Sequence, residues 1–90
     1  MNGTEQLYSR LRAILESPDF TGGEKRYIEF QWSTLLRPGS FYSALFEAIS
    51  RADPENLARL RLAFPEEVDA VVAWREGDFA ERVAAMGVSA

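Results

Sequence analysis

The stretch Arg37-Pro38-Gly39-Ser40, Phe41-Tyr42-Ser43-Ala44-Leu45-Phe46, Ala52-Asp53-Pro54-Glu55-Asn56 and Phe64-Pro65-Glu66-Glu67-Val68 decides the fold. Pro38 and Gly39 break the chain sharply. Ser40 can then cap a helix from Phe41 to about Arg51. Only Ser43, Glu47, Ser50 and Arg51 of that helix are polar, so it is expected at the centre of the fold as its core element. Asp53 is a good N-cap, Pro54 sits where a missing N–H costs nothing, and Glu55 complements the helix dipole. Leu57, Leu60 and Phe64 line the helix that follows. Pro65 opens another, with Glu66 and Glu67 in its first turn as compensation for the dipole.

Upstream, Thr4 is a suitable N-cap, and Leu7, Leu11, Ile14 and Leu15 follow helical spacing until Ser17-Pro18-Asp19 ends the run. Thr21 and Glu24 have capping-box spacing. Gly22 and Gly23 are poor first-turn residues, so this helix is expected to begin a residue or two later. Tyr27, Ile28, Gln31, Trp32, Leu35 and Leu36 make its buried stripe, with Lys25, Arg26 and Glu29 off it. Downstream, Val68, Val71, Val72 and Trp74 give a buried face. Gly77 closes that helix, and Asp78 can cap a last one through Phe79, Val83 and Met86, ended by Gly87. No stretch shows strand alternation. The fold expected is all-α: a compact bundle of five to six short helices in one domain spanning residues 1–90.

Composition narrows the function classes. The 90 residues are 47% hydrophobic and 27% charged, the proportions of a folded chain. There is no cysteine and no histidine, which removes thiol nucleophiles, thiolate or imidazole zinc sites and His-based triads. The net charge of −4 disfavours duplex nucleic acid. Residues 1–62 carry eight basic and eight acidic side chains. Residues 63–90 carry Arg75 and Arg82 against six acids, so the excess is C-terminal. No apolar run is long enough to span a membrane, and no basic-then-apolar leader opens the chain. It reads as a complete cytoplasmic protein.

Catalysis would rest on carboxylates, Tyr, Lys or Ser, and nothing assembles a nucleophile, a base and an orienting group. Lys25, the single lysine, reads as a solvated charge beside Arg26. Thr21-Gly22-Gly23-Glu24-Lys25 reads as a capped helix start, since no Gly-Lys-Ser/Thr pattern follows a strand. No cofactor or metal is expected.

Binding has better material. Gly39 and Ser40 at a helix start offer free N–H groups and a hydroxyl to an anion, with Ser43 on the same turn. Arg37 just outside can clamp a phosphate, and Tyr42 or Trp32 can stack on a base. Asn56 and Arg59 are further ligand candidates, with Arg51 and Arg61 as a basic rim. The ordinary alternatives stand beside these. Ser40 is a cap, the aromatics are core, and the arginines are solvated or paired with Glu47, Asp53 and Glu55. Trp74-Arg75 is either a partner-binding anchor or the closure of the core.

The pattern Gly39-Ser40-Phe41-Tyr42-x-x-Leu45-Phe46-x-Ala48-Ile49-x-x-Ala52-Asp53-x-x-Asn56-x-x-x-Leu60-x-x-x-Phe64-Pro65-x-x-Val68 resembles small uncharacterised proteins encoded by tailed phages and prophages. The resemblance covers about a third of the chain, Gly39 to Val68, and brings no assigned catalytic residue. It implies an accessory factor that blunts host defence, by covering a host protein or by sequestering a signalling nucleotide. The leading expectation is therefore a non-catalytic, homo-oligomeric binding protein, a sponge for a cyclic-nucleotide or NAD-derived immune signal. Its site would comprise Arg37, Gly39, Ser40, Tyr42, Ser43, Asn56 and Arg59. The alternatives are an inhibitor of a host protein acting through the acidic C-terminal third, or a structural phage accessory protein.

Overall fold

A computed structural model of the chain describes residues 3–88. Among these, seven helices and no strand are found: α1 (Gly3–Glu16), α2 (Gly22–Gln31), α3 (Ser33–Leu36), α4 (Ser40–Arg51), α5 (Pro54–Ala63), α6 (Pro65–Glu76) and α7 (Asp78–Ala85). The expected class holds, with seven helices in place of the five to six expected. The extra one arises at Trp32, whose φ/ψ of −109°/45° interrupts the long stripe and splits it into α2 and the single turn α3. α1 already includes Gly3, so Thr4 lies inside the helix rather than capping it, and the cap position falls outside the described residues.

Caps set most of the remaining boundaries. Thr21 accepts from the Glu24 N–H at 3.0 Å, and Glu24 accepts from the Thr21 N–H at 2.9 Å, so the capping box is complete. α2 begins at Gly22, earlier than helix propensity suggests. The reason is tertiary: a Cβ on Gly23 would lie 2.4 Å from the Glu66 backbone. Glycine is required for α2 and α6 to approach. Asp53 caps α5 through the Asn56 N–H at 2.8 Å. Ser40 and Asp78 are not caps: Gly39 and Gly77 hold those positions without any side-chain bond, and the two polar residues open the first turns instead.

The expected central helix is not the central one. α4 buries Leu45, Phe46 and Ile49 but leaves Phe41, Ala44 and Ala48 exposed. The middle of the bundle is the pair α2 and α6. α6 packs on α2, α4, α5 and α7, and α2 also packs on α1, α3 and α4. Apolar circumference alone misled, because Phe41, Ala44 and Ala48, three of its seven apolar residues, lie on the side turned away from the rest of the bundle. The core joins Leu11 and Ile14 of α1, Tyr27 and Ile28 of α2, Val68 and Val71 of α6, and Phe79 and Val83 of α7. Tyr27 is its aromatic hub, with ring centroids 5.1 Å from Phe46, 5.9 Å from Trp74 and 6.3 Å from Phe79. Trp74 also meets Trp32 edge-on, so it closes the core.

Charges pin the same interface. Glu67, buried, pairs with Arg26 at 3.1 Å, and Glu66 accepts from the Gly23 N–H at 3.1 Å. Glu24, also buried, takes a close hydrogen-bonded pair with Arg82 of α7. Arg26, off the buried stripe, thus reaches back to a buried glutamate, and the two glutamates of α6 act across the fold as well as on their own dipole. No helix among the described residues is long and apolar enough to cross a membrane.

Candidate functional site

The seven expected site residues fall at two places. Arg37, Gly39, Ser40, Tyr42 and Ser43 gather at the N-terminal end of α4, and Asn56 and Arg59 lie on α5. Most of α4, twelve residues and roughly 18 Å long, separates its first turn from the Arg51 end beside Asn56.

At the first place, Arg37 closes α3 in the left-handed region with φ 50°, and its exposed guanidinium has no hydrogen-bond or ion-pair partner among the described residues. Gly39 is extended, with φ/ψ of −65°/155°, and its C=O accepts from the Ser43 N–H at 3.1 Å. Tyr42 is half-buried and already stacked, its ring lying 4.8 Å from the Arg26 guanidinium carbon. That occupies one face of the ring proposed for base stacking. Trp32 is likewise engaged, packed on Trp74.

At the second place the fold builds a concavity. Only Ala52 and Asp53 separate α4 from α5, and α5 packs chiefly on α6, so α4 and α5 splay apart. Between them lies an open groove of about 450 Å³ lined by Ala48, Arg51, Ala52, Asn56, Arg59, Leu60 and Ala63. Three alanines and a leucine make its floor, and two guanidiniums and an amide make its rim.

The rim groups are held loosely. Arg51 reaches Glu47 at 3.3 Å and Arg59 reaches Glu55 at 2.8 Å, both i,i+4 pairs on exposed side chains. Such pairs contribute little net free energy, so an incoming anion competes with them at small cost. Asn56 is held more firmly: its Nδ2 donates to Asp53 Oδ2 at 3.4 Å, and its Oδ1 accepts from Arg59 Nη1 at 3.1 Å. Arg75 donates to the Ser50 carbonyl at 3.1 Å, which fixes the C-terminal end of α4 against α6. The groove therefore has a rigid wall, an apolar floor and two exchangeable cations. Chemically, it suits a ligand with a flat apolar part and a negative charge.

Sequence reasoning named Asn56, Arg59 and Arg51 but not Ala48, Ala52, Leu60 and Ala63. Alanine at helical spacing on both sides of a tight turn was the available signal, because small residues leave space where two helices meet. The other polar cluster, Glu24 with Arg82, is structural. Its hydrogen bond to Glu24 raises the Arg82 pKa above the ordinary arginine value, against a smaller opposing effect of burial. Among the described residues, no group of three or more acidic side chains is placed to hold a metal ion. No known protein family matches this chain, and neither curated proteins nor solved structures give a match.

Proposed function

We propose that this is a non-catalytic binding protein whose α4–α5 groove sequesters a small anionic ligand with a flat ring, most specifically a nucleotide-derived signal. The groove itself carries the reading: two loosely paired guanidiniums stand over an apolar floor in a concavity of ligand size. The resemblance of Gly39–Val68 to small phage proteins supports an anti-defence setting, since both sides of the groove lie within that stretch. The first turn of α4, with Arg37, Gly39, Ser40 and Ser43, is a second place where phosphate is proposed to sit.

A thermal-shift screen against cyclic di- and trinucleotides and cyclic ADP-ribose species tests this. Ligand at a hundred times its dissociation constant adds about 2.7 kcal/mol to the folded state. In so small a domain that raises the midpoint by roughly ten degrees or more. Arg51→Ala and Arg59→Ala should abolish the shift with the unliganded midpoint nearly unchanged. Loss on Arg37→Ala or Ser40→Ala alone would move the site to the start of α4. Silence across the panel would sink the sponge and favour the second reading, an inhibitor that presents acidic residues to a basic host protein. That alternative has its own support, because Glu76 and Glu81 are exposed and have no ion-pair partner among the described residues.

A further inference from the structure

We infer that a second copy of this chain covers the outer face of α5, packed antiparallel across a two-fold axis with Glu55 of each copy against Arg59 of the other. α5 is a ten-residue helix with no buried residue, and it carries Leu62 at 88% exposure. A single exposed leucine is ordinary. What identifies the occupant is the arrangement around it.

At about 100° per residue, Leu62, Glu55 and Arg59 lie on one side of Ala58, at about 40°, 60° and 100°, and Pro54 lies about 40° to the other side. All five are exposed, while Leu57, Leu60 and Phe64 turn towards the core. Ala58 at the crossing point lets two backbones come close. In a two-fold antiparallel pair centred there, the flank bearing Glu55, Leu62 and Arg59 meets the same flank of the partner running the opposite way. Glu55 is three residues before Ala58 and Arg59 one after. The partner's Arg59 therefore lies only about 3 Å along the axis from Glu55, a rise of two residues. Leu62 lands over the partner's first turn, on Pro54 and the stem of Glu55. The helix dipoles oppose each other favourably. A parallel pair would align like charges instead.

The interaction is already half made. Glu55 and Arg59 pair within each chain at 2.8 Å, and both are well exposed, so each exchanges a weak internal partner for an external one. Arg59 also rims the α4–α5 groove on that same flank. Pairing consequently places the two grooves on the same side of the dimer, one beside each Arg59. Two helices about 15 Å long bury less than the roughly 1,200 Å² of a stable complex. The dimer is therefore weak and concentration-dependent.

Sedimentation equilibrium of the full chain without ligand tests this separately from the groove reading. From micromolar to millimolar protein, the weight-average mass should climb from 10.1 kDa towards twice that value. Leu62→Glu should hold it at the monomer value, with an unchanged circular dichroism spectrum. Glu55→Arg and Arg59→Glu should each be monomeric alone yet associate when mixed, because the mixture sets two arginines against two glutamates. An intrahelical salt bridge cannot be rescued by mixing chains. A monomeric wild type at millimolar concentration would overturn the proposal. So would an assembly of any size that survives Leu62→Glu, or a mixture no larger than its components.

Discussion

At the scale of single residues, Gly23 is the position with least freedom. Any side chain there meets the Glu66 backbone, and Gly23 also donates to the Glu66 carboxylate. Gly23→Ala should therefore destabilise the fold by about 1–3 kcal/mol in urea denaturation, the usual range for overpacking. Gly39→Ala is the control. Its Cβ would meet nothing within 4 Å, and the loss should be about 0.5 kcal/mol. Tyr27 gives a pH signature. Burial raises its pKa above 10.0, with a hydrogen bond to Gln31 and the charge of Arg75 opposing. The folded state thus holds the phenol proton more tightly than the unfolded chain does. That stabilisation is complete below pH 10.0 and is lost as pH rises past the folded value. Tyr27→Phe should flatten the alkaline limb of the stability profile, and an unchanged limb would rule Tyr27 out as its source.

At the scale of elements, the helix ends separate real caps from apparent ones. Thr21 and Asp53 accept backbone N–H groups, whereas Ser40 is the first residue of α4 and caps nothing. Thr21→Ala and Asp53→Ala should each cost about 1 kcal/mol. Ser40→Ala should stay within about 0.5 kcal/mol, as thermal or urea unfolding would show. Capping was legible for α2 and α5 because it depends on residues three apart. It was misjudged at α4, where Gly39 and Ser40 are both acceptable caps and the preceding Pro38 did not choose between them. The break at Trp32 had no local signal. The stripe continues through Leu35 and Leu36, and the interruption coincides with Trp32 packing edge-on against Trp74.

At the scale of the whole molecule, the α2–α6–α7 contact is a packed core sealed by charge. Arg82 stacks over Phe20 and Phe79, at 5.2 and 5.4 Å, while it pairs with buried Glu24. Arg82→Met keeps most of the apolar packing on those rings and strands the carboxylate. The loss should be about 1–2 kcal/mol, less than for a fully buried pair, because Arg82 is partly open to water. Glu24→Gln combined with Arg82→Met should recover part of it, and strictly additive losses in the double-mutant cycle would show the pair to be uncoupled. The sequence by itself determined the all-α class, most helix boundaries and most of the buried stripes. Those depend on periodicity and on groups within one turn of each other. It did not determine that α2 and α6 lie at the centre, that Arg26 and Arg82 hold buried glutamates, or that Asn56 and Arg59 share a groove with Ala48 and Ala52. Arg82 and Glu24 are 58 residues apart, and Gly23 and Glu66 are 43 apart. Contacts at such separations are fixed by how the helices pack together. A space left by alanines exists only once those helices are in place.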